Sequence, residues 1–150
     1  MFKYQDIKVY HKQLRTGSIN CVDAVSHYLQ KIEANKNLNA FTEIYADEAI
    51  EKATLLDLKR KNGEPLKKLH GVIIAIKDVI CYKNHSVTAA SKMLKGFKSL
   101  FTATALQRLL DEDAIIIGSC NCDEFAMGSS NENSVYGNVL NALEIGRAHV

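Results

Sequence analysis

Two short runs constrain this chain more than anything else in it. Gly71-Val72-Ile73-Ile74-Ala75-Ile76 and Ala114-Ile115-Ile116-Ile117-Gly118 are continuous, apolar and rich in β-branched residues. Neither alternates with polar residues, so each predicts a strand buried on both faces. A helical stretch precedes each of them. Helix followed by buried strand, twice, points to an α/β fold with at least part of the sheet parallel. The composition agrees: 47% hydrophobic, 24% charged, with 8 glycines and 1 proline, which excludes collagen-like, low-complexity and disordered chains. With 150 residues the chain is at most one domain long. No apolar run approaches the ~20 residues of a membrane helix. The opening residues, Met1 to Leu14, are charged and interrupted, unlike a signal peptide. A cytoplasmic location is expected.

Periodicity divides the first half into helices. Phe2, Ile7, Val9, Tyr10 and Leu14 are the apolar positions of a first helix that ends at Gly17, and Ser18 is a candidate N-cap for the next. Val22, Val25, Leu29 and Ile32 follow at spacings of three and four. Asn35 to Asn39 breaks the pattern, and Ala40 to Ile44 reads as a short extended segment. Ala46 to Asn62 returns to helix, with Ile50, Ala53, Leu56 and Leu58 expected inside. Its early acids (Asp47, Glu48, Glu51) and late bases (Lys59, Arg60, Lys61) suit the helix dipole, with Gly63 as the stop. Those bases form a solvated helix end rather than a nucleic-acid patch, since Lys+Arg 19 against Asp+Glu 17 leaves only +2. Thr102 to Asp111 predicts a short helix carrying Leu106, Leu109 and Leu110.

Chemistry has few carriers here. Cys120 and Cys122 form a lone C-x-C pair, too little for a zinc site, so all four cysteines read as reduced thiols in a packed interior, with no metal and no disulfide expected. The five histidines lack metal-like spacing, and His70 beside the first strand reads as a structural or rim residue. Asp123 and Glu124 are adjacent, which suits capping of Phe125-Ala126-Met127 better than a converging carboxylate pair. Ser129 and Ser130 lack a G-x-S-x-G elbow and read as loop-capping hydroxyls. Lys77 follows the apolar run directly and Asp78 follows Lys77. Two readings stay open: a structural lysine that lies at the strand mouth, reaches solvent or pairs with Asp78, or a lysine desolvated enough to act as a neutral general base. After Asn121 the chain turns polar and glycine-punctuated, a loop beyond a strand's C-terminal end, where α/β sheets collect binding sites.

Taken together these segments resemble the amidase signature family. Leu69-His70-Gly71-Val72-Ile73-Ile74-Ala75-Ile76-Lys77-Asp78 is similar to its lysine strand. Ile116-Ile117-Gly118, followed by Asn121-Cys122-Asp123-Glu124-Phe125-Ala126-Met127-Gly128-Ser129-Ser130-Asn131-Glu132-Asn133-Ser134, resembles the glutaminase branch that serves tRNA-dependent transamidation. The resemblance covers about residues 1–143. Departures are local: Ile74 stands where proline is usual, Ser119 where lysine is frequent, Asn138 where proline is usual, and Ala142 follows Asn141 where proline is common.

What the resemblance implies is a mixed central sheet covered by helices, of which this chain is the incomplete amino-terminal part. Lys77 becomes the catalytic base of a Ser, cis-Ser, Lys triad. Met127, Gly128, Ser129 and Ser130 become substrate-binding residues that shape a glutamine pocket and position the lysine. Ammonia from glutamine would pass to a B subunit, where ATP with Mg activates glutamate on tRNA(Gln). A small C subunit completes the implied complex, and no cofactor is implied in this chain. The triad serines should follow residue 143 and are absent, so the chain alone is expected to be inactive. Its last residues, Glu144-Ile145-Gly146-Arg147-Ala148-His149-Val150, are encodable by GAG-ATC-GGA-AGA-GCA-CAC-GTC, a common sequencing-library adapter. Residues 1–143 are therefore read as the native amino-terminal portion and 144–150 as a non-native read-through tail. The competing readings are a free-standing amidase of small amides and a non-catalytic α/β interaction module.

Overall fold

A computed structural model describes residues 6–142; the expected helix position Phe2 and the 144–150 tail lie outside them. The described residues form two compact units, one of residues 6–34, 45–74 and 108–117, the other of residues 35–44, 75–107 and 118–142.

The first unit is built on three helices: α1 (Ile7–Thr16), α2 (Cys21–Ala34) and α3 (Ala46–Lys61). Asp6 opens α1 by accepting the Val9 N–H at 2.8 Å. Gly17 closes it in the left-handed conformation, φ 69°, where Ser18 N–H returns to the Gln13 carbonyl at 3.1 Å. Ser18 does not cap α2, contrary to the sequence expectation. Its hydroxyl donates to Gln13 O, which leaves it at the end of α1. Asn20 caps α2 instead, accepting from Asp23 N at 2.7 Å. Tyr10, Leu14, Cys21, Ala24, Val25, Ala49, Ala53, Leu56, Val72 and Ile115 form this unit's core. On α3 the inward positions are Ala49, Ala53, Leu56 and Asp57. Ile50 and Leu58, each one residue off that stripe and so turned about 100° away, are exposed.

Strands β1 (Phe41–Ile44), β2 (Ile73–Lys77) and β3 (Ile115–Cys120) form a sheet of order β1-β3-β2. β1 runs antiparallel to β3, with Phe41 opposite Cys120, Ile44 opposite Gly118, and an irregularity between Phe41 and Glu43. Hydrogen bonds from Ile115 N to Val72 O and from Asp78 N to Cys120 O advance in the same direction along both strands. β2 and β3 are therefore parallel, and α4 (Thr104–Asp111) lies between them in sequence. A mixed sheet with a β–α–β step is the α/β architecture expected.

Burial separates the two runs. The central strand β3 is buried from Ile115 to Ser119, as its unbroken apolar sequence predicts. β2 is not buried on both faces: only Ile76 is buried, Ile73 and Ile74 are half-buried, and Ala75 is exposed. It occupies a sheet edge, and Ile73, Ala75 and Lys77 share one face by the strand's twofold period. An apolar run reports what a strand can bury, not what covers it.

Candidate active site

Lys77 ends β2 and Asp78 begins the turn after it. Strand alternation sends them apart: Lys77 is exposed, whereas Asp78 is 1% exposed. Of the structural alternatives left open by the sequence, the Lys77–Asp78 pair is not formed among the described residues, whereas Lys77 does reach solvent at the strand end. Asp78 accepts instead from Thr88 N at 3.0 Å, Thr88 Oγ1 at 2.5 Å and Ala90 N at 3.1 Å.

The polar segment after β3 is folded around its own buried polar side chains. Asn121 accepts the Cys122 N–H and the Ser134 hydroxyl, and its amide donates to Asn39 O and Gly137 O. Asp123, 5% exposed, accepts from Asn131 N at 2.9 Å and Asn133 N at 3.0 Å. The sequence expectation that Asp123 caps its own short helix is therefore corrected. The turn Glu124–Ala126 forms without a side-chain cap, because the carboxylate is committed to the far side of the loop. Bonded hydrogen acceptors inside a loop serve the same need as a cap, the satisfaction of backbone N–H groups.

Electrostatics link this loop to Lys77. The N–H of Asn133 does most to hold the Asp123 carboxyl below its ordinary range; burial opposes that, the N–H groups of Asn131 and Glu132 assist, and the Lys77 ammonium adds the smallest part. Burial pushes the Cys122 thiol up, and Lys77 pulls it back. Since the folded Asp123 is depressed, its contribution to loop order is complete above the ordinary aspartate value of about 3.9. It is lost only as pH falls through the lower folded value. Hydrogen exchange should find the Asn131 and Asn133 amides still protected at pH 4 and released below it.

The sequence-predicted substrate residues lie on the loop's outer side. Met127 is 81% exposed, Gly128 and Ser129 are exposed, and Ser130 is half-buried with its hydroxyl donating to Glu132 at 2.8 Å. Gly128 has a reason to be glycine: a Cβ there would collide with the Asp123 carboxylate. Gly128→Ala is expected to displace that carboxylate and cost about 1–3 kcal/mol, measured by denaturant unfolding.

Sequence reasoning missed the segment 88–91. Ala89 and Ala90 both have left-handed backbones, φ 48° and 51°, as do Phe125 and Ala126, φ 52° and 59°. Such conformations cost on the order of 1–2 kcal/mol for residues with a Cβ, and alanine gives no warning of them. Ser91 Oγ donates to Glu124 Oε1 at 2.6 Å. His70 belongs to the other unit. It is 1% exposed with Nδ1 3.5 Å from Asp113, in keeping with the structural role read from the sequence. A groove of about 580 Å³ lined by Gln13, Ser18, Asp23, His27 and Gln30 also lies in that first unit and includes none of these loop residues.

The amidase family's sequence model matches residues 23–148. Among curated proteins, the chain is 46% identical over 136 residues to the A subunit of glutamyl-tRNA(Gln) amidotransferase from Chlorobium chlorochromatii, which covers 91% of the chain and 29% of that protein. It is 47% identical over 131 residues to the protein of the same name from Salinibacter ruber, 87% of the chain and 25% of that protein. Among solved structures, it superposes with TM-score 0.90 and 30% identity on a chain of a vestigial complex described as revealing the evolutionary origins of an s-triazine catabolic enzyme, over 95% of this chain and 32% of that one. Peptide amidase from Stenotrophomonas maltophilia follows with TM-score 0.84 and 27% identity, over 94% and 30%. The chain spans between a quarter and a third of the length of these relatives.

Proposed function

The chain belongs to the amidase family, and on that premise we propose that it is part of the glutaminase subunit of a tRNA-dependent amidotransferase. The observation that carries the reading is the Cys122–Ser134 loop itself, the segment most particular to the glutaminase branch. It is held on the Asp123 carboxylate by the N–H groups of Asn131 and Asn133 and leaves the end of β3, the strand that neighbours the one ending in Lys77. The 46% identity to a glutamyl-tRNA(Gln) amidotransferase protein supports the same reading.

In this proposal Lys77, as a neutral amine, takes a proton from a bridging serine. That serine activates a second, nucleophilic serine, which attacks the glutamine side-chain amide. The acyl–oxygen bond forms as the carbon–nitrogen bond breaks. The proton goes to the departing ammonia, and water then releases glutamate. Both serines lie outside this chain, so glutamine hydrolysis belongs to the full-length protein and the 150 residues alone should release no glutamate. Met127 and Gly128–Ser130 are assigned to the glutamine pocket. Ammonia delivery to Glu-tRNA(Gln), with ATP and Mg held by a B subunit, and with a small C subunit in the complex, completes the proposed role in the cytoplasm.

The structural likeness to peptide amidase favours one other reading, a free-standing hydrolase of small amides. Comparing kcat/KM of the full-length enzyme for glutamine and for simple carboxamides separates the two. Preference for glutamine, with ammonia transferred when B subunit, tRNA and ATP are added, supports the first reading. Equal or better turnover of simple amides would replace it with the second.

A further inference from the structure

We propose that Asp78 is the positioning residue that sets the substrate loop beside Lys77, acting through the left-handed Ala89–Ala90 pair. The inference rests on the glutaminase reading and deepens it, since the loop in question is the one assigned to the glutamine pocket.

Each link is a hydrogen bond within the second unit. Asp78 is anchored on its backbone, donating to Cys120 O and accepting from Ala89 N at 2.8 Å. Its carboxylate takes the N–H groups of Thr88 and Ala90 and the Thr88 hydroxyl. One side chain therefore satisfies the donors on both sides of Ala89 and holds two alanines with left-handed backbones. That bend aims two consecutive carbonyls at the loop. Ala89 O accepts from Phe125 N at 2.8 Å, and Ala90 O accepts from Val135 N at 3.0 Å. Phe125 and Val135 bracket Met127 to Ser130 in the sequence, so the pair grips the loop at both ends.

A second link runs through hydroxyls. The Thr88 hydroxyl spends its only hydrogen on Asp78, so at 3.0 Å from Tyr136 it is the acceptor and the tyrosine the donor. Tyr136 to Thr88 to Asp78 is then a directed relay ending on the residue next to Lys77. A carboxylate suits the hub because both its oxygens accept; an amide would turn a donor group towards the Ala90 N–H or Thr88.

The test uses the full-length enzyme in its complex. For Asp78→Asn, hydrogen exchange should show lost protection at the Phe125 and Val135 amides, while the Asn121 amide, bonded to Ala40 O, keeps its own. Glutamine KM should rise about tenfold with a smaller fall in kcat, the mark of a displaced binding loop. Thr88→Val breaks only the relay and should move both readouts the same way by about threefold; it decides the matter if Asp78→Asn does not fold. Unchanged protection at Phe125 and Val135, or lost protection with unchanged KM, would overturn the proposal. Should the wild-type enzyme hydrolyse another amide and not glutamine, the glutaminase reading fails by itself. The exchange pattern and the KM for that amide then still decide the role of Asp78.

Discussion

Lys77→Arg in the full-length enzyme is expected to lose glutamine hydrolysis almost as completely as Lys77→Ala, on the order of 10²–10⁴ in kcat. Arginine keeps the charge and approximate reach, so it preserves any ion pair or solvated strand end. It cannot deprotonate at a working pH, so it cannot serve as a general base. The comparison therefore isolates the one property that distinguishes the two readings of Lys77. In this chain the side chain is exposed and Asp78 is engaged elsewhere, so a purely structural Lys77–Asp78 pair is not what the arginine would be rescuing.

Glutamine binding should weaken far less than turnover in both variants, because Met127 and Gly128–Ser130, the residues proposed for the glutamine pocket, remain. Substantial turnover in Lys77→Arg would sink the general-base assignment, while folding stability measured on both variants shows that neither has merely unfolded.

The sequence carried the strands, the helices and the position of Lys77 because these depend on local pattern. β3 is where its five apolar or small residues place it, and Gly17 and Gly63 stop their helices with φ of 69° and 79°. What was not legible depends on partners far along the chain. Nothing around Asp78 announces that Thr88 and Ala90 are its partners, ten and twelve residues on. Nor does Asp123 announce that its carboxylate serves Asn131 and Asn133 rather than its own turn. Carboxylates of this kind look like surface charge in a sequence and act as backbone acceptors in the fold. The left-handed alanines at 89 and 90 are invisible for the opposite reason, because alanine has the highest helix propensity and no tendency to this conformation.

The same cause lies behind the largest stability effect expected, that of Asp57→Ala. Asp57 sits on the inward stripe of α3, 6% exposed, where an apolar residue belongs by periodicity. It reaches across 36 residues to accept the Cys21 N–H at 3.0 Å and across 35 to accept the Val22 N–H at 3.1 Å. These are the first two amides of α2, which have no partner inside their own helix. Asn20 takes the third, from Asp23, so a neighbour and a distant carboxylate divide one N-terminus between them. Arg60 adds its Nε at 3.7 Å from Asp57 and bonds the Leu14 carbonyl through Nη1, tying α1 to the same carboxylate. Alanine at 57 would strand the buried Cys21 N–H and the part-buried Val22 N–H and leave Arg60 without its counter-charge, a cost of about 3–4 kcal/mol. Asparagine keeps one acceptor and should cost about half as much. Ser18→Ala, at the position the local pattern nominates as the cap, should stay within about 0.5 kcal/mol. Denaturant midpoints of the full-length protein test the ordering; an Asp57→Ala loss no larger than that of Ser18→Ala would show that α2 does not depend on the distant carboxylate.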